Sequence, residues 1–206
     1  MVLLFIPFFA VILELNKMKR IIIFASGSGS NAENIIKYFE TIKTAKVTLV
    51  LSNNQQAKVF NRCNTLGVRC LFFSKKSFSA TDEILNLLKM EADYIILAGF
   101  LLKVPSKITD AFPNKIINIH PSLLPKYGGK GMYGMNVHNA VKENKEIETG
   151  ITIHFVNEKY DDGAIIFQEK TSISSNDTSE MIAEKIHILE YKHFPIIIEK
   201  VILDNE

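Results

Sequence analysis

The tripeptide Asn118-Ile119-His120 sets an amide and an imidazole two residues apart at the end of an apolar run. In a strand, residues i and i+2 point to the same side, so the two side chains should project together past the strand's carboxyl end. An amide N–H beside an imidazole suits acyl or formyl transfer. The amide donates to an oxygen that becomes negative, while the ring moves or stabilises a proton. The plainer alternative is a polar pair satisfying loop backbone. A second feature is Phe24-Ala25-Ser26-Gly27-Ser28-Gly29-Ser30-Asn31, where a buried strand passes through small residues into a helical pattern. Free backbone N–H groups and the helix dipole at such a start attract an anion, a phosphate above all. The spacing is neither GxGxxG nor GxxxxGK[ST], and the plainer alternative is a tight turn with Ser30 or Asn31 as helix cap. Third, Asp161 and Asp162 adjoin in a turn after a later strand. A carboxylate beside His120 would orient the ring and favour its charged form, although adjacent acids are more often ordinary turn residues.

The elements that must position these groups alternate along the chain. Residues 20–25 form a continuous apolar run, as a strand buried on both faces should. Helical spacing follows over 32–42, a strand over 47–52, a helix over 56–66 stopped by Gly67, and a short strand around VRCLFF, with Phe72-Phe73 as core. Ser79 or Thr81 should cap a helix reaching Met90, and DYIILAGF and 115–119 supply two more buried strands. A helix over 135–144, strands over 150–156 and 164–171, and a helix over 177–203 complete the chain, with Pro195 expected to kink or break the last. Alternation of this kind implies an α/β, doubly wound, mostly parallel sheet. The last two strands, joined by a short turn, form an antiparallel C-terminal edge. In such sheets ligands bind beyond the carboxyl ends of the strands, which is where all three features fall.

Bulk properties exclude several classes. The 24 basic and 22 acidic residues leave a net charge of +2, and no long basic run stands out, so nucleic acid is not an expected partner. Cys63 and Cys70 make neither a disulfide framework nor a CxxC pair, which fits a reducing compartment such as the cytoplasm. No group of His, Cys and carboxylates has metal-ligand spacing, so no metal is expected. MVLLFIPFFAVILEL at the N-terminus lacks the flanks of a signal peptide and is shorter than the ~20 apolar residues that span a bilayer, so no membrane partner is expected. Residues 1–17 are taken as an apolar extension outside the functional protein, Met18 as the functional start, and 18–206 as one domain. Of the other histidines, His154 reads as a buried polar residue behind the site, His138 as a cap or solvent-facing residue, and His187 and His193 as chemically idle.

HPSLLPKYGG, preceded by IN and followed some thirty residues later by TGITIHFVNEKYDDGAIIFQ, with FASGSGSN before both, resembles the folate-dependent formyltransferase family from about Met18 to the C-terminal helix. The resemblance is to the branch that moves a formyl group from 10-formyltetrahydrofolate, as co-substrate, to the amine of glycinamide ribonucleotide in purine synthesis. It implies a Rossmann-like fold of the formyltransferase type, small-molecule partners only, and a monomer or homodimer. It implies Asn118, His120 and Asp161 as the catalytic trio, choosing Asp161 over Asp162. Gly29, Ser30 and Asn31 would hold the substrate phosphate and Glu190 its ribose. Leu101, Leu102, Lys103, Val104, Asn118, Asn157, Glu158, Tyr160 and Asp161 would line the folate pocket. The loop after His120 would wall the cleft, with Leu124-Pro125 cis. Two departures stand out: an arginine that touches folate in many relatives aligns with Thr81, near Lys75 and Lys76, and the loop is enlarged at GGKGMYG. Relatives acting on methionyl-tRNA or hydrolysing formylfolate normally carry a further domain that 206 residues do not accommodate. A non-catalytic phosphate-binding module would explain SGSGSN alone.

Overall fold

The computed structural model describes residues 18–205, so the expectations for residues 1–17 fall outside it. Seven strands form one sheet: β1 (Lys19–Phe24), β2 (Ala45–Ser52), β3 (Cys70–Phe72), β4 (Tyr94–Leu97), β5 (Ile116–His120), β6 (Glu148–Phe155) and β7 (Ile165–Ser172). Their spatial order is β3-β2-β1-β4-β5-β6-β7. The first five are parallel, whereas β6 runs antiparallel to both β5 and β7. The α/β class and the antiparallel edge are therefore those expected from the sequence. The helices are α1 (Ser30–Ile42), α2 (Val59–Thr65), α3 (Lys75–Ser79), α4 (Glu83–Glu91), α5 (Ser106–Ala111), α6 (Met135–Glu143) and α7 (Ser179–Asp204).

The continuous apolar runs divide residue by residue between two cores. Ile21 and Ile23 join a cluster with Ile35, Ile36 and Phe39 of α1 and Phe194, Ile198 and Ile202 of α7. Ile22 and Phe24 face the other way, among Ile84 and Leu88 of α4 and Ile108 of α5. Each such side chain, fully buried, contributes roughly 1.5–3 kcal/mol, so a strand loaded on both faces belongs only in the middle of the sheet. On β5, Ile117 and Ile119 pack toward the α1/α7 layer and Ile116 toward the other. Asn118 and His120 consequently share the second face at the strand's end. On β6, Ile151 and Ile153 take the first face. Thr152 and His154 stand on the second, paired across from His120 and Asn118.

Several local expectations needed correction. Phe73 is core, but Phe72 is 43% exposed because β3 is a three-residue edge strand and its neighbours point to opposite sides. The helix before Met90 is capped by neither Ser79 nor Thr81; Asp82 precedes it, and the separate helix α3 carries its own cap, Ser74 accepting from Ser77 N. Pro195 does not break α7. A proline lacks the N–H that would serve the carbonyl four residues back, and here that carbonyl, Tyr191 O, accepts from Asn34 Nδ2 at 2.9 Å. Gly67, at φ 67°, follows α2 in the left-handed conformation that ends helices.

Candidate active site

The loop after β1 is tied at its base. Ser26 Oγ donates to Asn53 Oδ1 at 2.6 Å and accepts from Leu101 N at 3.0 Å, joining the ends of β1, β2 and β4. Arg62 Nε donates to Ser28 O at 2.8 Å and pairs with Glu33. Gly29, at φ 72°, stands at the N-cap of α1, and no side chain caps the helix there. The cap role considered for Ser30 or Asn31 is thus not taken up; Ser30 N makes only a long contact to Ser28 Oγ, 3.5 Å, so this helix start can receive an anion.

Beyond β5 the loop turns back through a cis Leu124-Pro125 bond. His120 is 4% exposed, and its Nε2 donates to the Tyr127 carbonyl at 2.8 Å. Its Nδ1 lies 3.6 Å from Asp161 Oδ2, which also accepts from Gly129 N at 2.8 Å. Both ring nitrogens therefore face oxygen acceptors, Nε2 within hydrogen-bond distance and Nδ1 just beyond it. Asp161 Oδ1 lies 3.7 Å from His154 Nε2, and His154 Nε2 lies 3.0 Å from Asn118 Nδ2. A left-handed backbone at Asp161, φ 52°, turns its side chain inward. Its neighbour Asp162 instead pairs with Lys159 at the surface. Burial pushes His154 below the ordinary histidine range, offset in part by its bond to the Phe155 carbonyl and by Asp161.

Asn118, His120 and Asp161, though not His154, line one cavity of about 570 Å³. Gly29, Ser30 and Asn31 lie at one end with Glu190; Asn118, His120 and Asp161 lie along it. Glu190 is 5% exposed, and its Oε2 accepts from Asn31 Nδ2 and from His187 Nδ1, each at 2.9 Å. Glu190 holds His187 above the ordinary histidine range. A second cavity of about 580 Å³ shares Leu101 and Tyr160 with the first and continues along Leu102, Lys103, Val104 and Glu158. Asn157 lines neither cavity; its Oδ1 accepts from Lys159 N at 2.9 Å. Thr81 is likewise not a lining residue, whereas Lys75 is.

Two histidines line this cavity against expectation. His138 is 3% exposed, because Gly134 is the N-cap of α6 and His138 lies on the inner face of the helix rather than at a cap. His187 belongs to the Glu190 end, and Tyr133 comes from the loop after His120, which was expected to wall the cleft. The spacing of His187 and Glu190, i and i+3 on a helix, was the one signal that placed a histidine there. Two side-chain atoms of lining residues, Asn31 Oδ1 and His138 Nδ1, are buried without a hydrogen-bond partner. Among the described residues no group of three or more His, Cys, Asp or Glu could hold a metal, and no helix is long and apolar enough to cross a membrane.

The family profile described as Formyl transferase matches residues 19–198. The chain belongs to the formyl transferase family. A chloroplastic phosphoribosylglycinamide formyltransferase of Arabidopsis thaliana is 37% identical over 183 residues, 85% of this chain and 63% of the relative. The Vigna unguiculata counterpart is 36% identical, and 61% of its length is covered. The chain thus spans a little under two thirds of these plant formyl transferases. Phosphoribosylglycinamide formyltransferase of Bacillus subtilis is 36% identical, with 90% of this chain and 95% of that protein aligned. The crystal structure of phosphoribosylglycinamide formyltransferase from Bacillus halodurans superposes with a TM-score of 0.82 at 33% identity, covering 91% of this formyl transferase and 97% of that chain.

Proposed function

We propose that this formyl transferase moves a formyl group from 10-formyltetrahydrofolate to the primary amine of glycinamide ribonucleotide, a step of purine synthesis carried out in the cytoplasm. The observation that carries the reading is convergence: Asp161, from a turn forty residues after β5, meets His120 beside Asn118, in the cavity that holds the Gly29–Asn31 loop. Family membership and the names of the relatives support the substrate pair. The start of α1 without a side-chain cap, in one cavity with Glu190, supports a sugar phosphate at that end. The adjoining cavity past Leu101 and Tyr160 gives an extended, largely aromatic donor room to lie.

In the reaction the amine nitrogen bonds to the formyl carbon, the carbonyl oxygen gains negative charge, and the bond to the donor nitrogen then breaks. Asn118 Nδ2 donates to that oxygen. His120, its ring held between Tyr127 O and Asp161, supplies positive charge or a proton beside it. The proton lost by the amine passes to the departing nitrogen through Asp161 or a water held by it. The loop N–H groups and Glu190 fix the ribonucleotide so that amine and formyl carbon meet, and orientation of this kind is worth roughly 7–11 kcal/mol. Release of tetrahydrofolate, followed by absorbance with and without glycinamide ribonucleotide, tests the proposal. Release that requires the ribonucleotide is expected. Release in its absence would mark a hydrolase, and none in either case a binding protein.

A further inference from the structure

His154 is 2% exposed, touches the Asn118 carboxamide, and has no part in the steps just described. Its two ring nitrogens are not equivalent. Nδ1 lies 2.8 Å from the Phe155 carbonyl, which only accepts, so Nδ1 carries the hydrogen. In the neutral ring Nε2 is then a bare lone pair, and it lies 3.0 Å from Asn118 Nδ2. One Nδ2 hydrogen goes to His154, and the second remains for another acceptor.

We propose that His154 is a positioning residue for formyl transfer: the Phe155 carbonyl fixes its tautomer, and the tautomer fixes which end of the Asn118 carboxamide stands at the acid–histidine corner. With the amide the other way round, Oδ1 would meet the Nε2 lone pair, and the corner beside His120 and Asp161 would hold an acceptor where the developing oxyanion needs a donor. A proton on Nε2 reverses the preference. It would draw the amide oxygen toward the ring and compete with His120 for Asp161, whose Oδ1 is 3.7 Å away. The charged or titratable groups facing His154 are Asp161, from the β6–β7 connection, and His120, from β5. Burial favours the uncharged ring.

The proposal rests on the formyl-transfer reading, and wild-type activity separates the two. If the wild type shows no ribonucleotide-dependent release, that reading fails, while the tautomer remains measurable by itself. Long-range 1H–15N NMR of the imidazole at neutral pH should find the His154 hydrogen on Nδ1 and none on Nε2; the opposite tautomer overturns the proposal whatever the kinetics. With an active wild type, His154→Ala should lower kcat by about 10²-fold, the scale of misplacing a reacting group, with KM for glycinamide ribonucleotide unchanged. His154→Gln, whose Oε1 offers Asn118 an acceptor but takes no proton, should recover most of that loss and move the acid limb of kcat to lower pH. A glutamine variant as impaired as the alanine one, or an effect confined to KM, would overturn it.

Discussion

Asn118 and His120 owe their partnership to strand geometry, whereas Asp161 owes its place to one turn residue. The first pair follows from the period of two along β5, which Ile116, Ile117 and Ile119 display on either side. Removing an oxyanion donor commonly costs ~2.7–4 kcal/mol. Asn118→Ala should therefore reduce kcat about 10²–10³-fold, and His120→Ala at least as much, with unchanged circular dichroism; near-normal turnover in either would remove the assignment. The choice between Asp161 and Asp162 was not legible in spacing, because a left-handed residue at 161, which aspartate tolerates better than most, decides which carboxylate turns inward. Only the family resemblance pointed to it. His138 escaped notice for a related reason: its burial depends on where the glycine-rich loop delivers the chain to α6, and such a loop carries no period from which that could be read.

Among elements, the turn from β1 into α1 is the most constrained. A Cβ on Gly29 would lie 2.4 Å from Val59 Cγ2, and the residue sits at φ 72°. Gly29→Ala should destabilise the protein by about 1–3 kcal/mol through backbone strain, seen in the urea midpoint. It should also raise KM for the ribonucleotide more than KM for the formyl donor; an equal rise in both would argue against an anion at this helix start. The long apolar runs and the 3.6-residue pattern of α1 were plain in the sequence because two packed layers impose them. Helices α3 and α5, of five and six residues, were not. Less than two turns establishes no amphipathic period, and their starts depend on Ser74 and Pro105, residues that fit ordinary loops equally well.

For the molecule as a whole, histidine burial sets the response to mild acid. Burial holds His138, His154 and His193 below the ordinary histidine value, while His187 is raised by Glu190. For the three depressed rings the unfolded chain takes up protons that the folded one refuses, so stability falls as pH drops below about 6.5. The contribution of His187 has the opposite sign: it is fully present below that value and fades as pH rises through its raised folded pKa. Three outweigh one. The urea midpoint should be lower at pH 5.5 than at pH 7.5; a midpoint that holds or climbs would show that the His187–Glu190 pair offsets or outweighs the three buried rings. The proline in α7 bears on the whole molecule too. By leaving the Tyr191 carbonyl free for Asn34, it makes a missing helical bond into a rivet between the helix bearing Asn31 and the helix bearing Glu190. A hydrogen bond of about 1 kcal/mol then serves as a spacer for the sugar-phosphate grip. Asn34→Ala should loosen ribonucleotide binding roughly fivefold while folate affinity holds, so a flaw in one helix becomes the gauge that keeps two jaws apart.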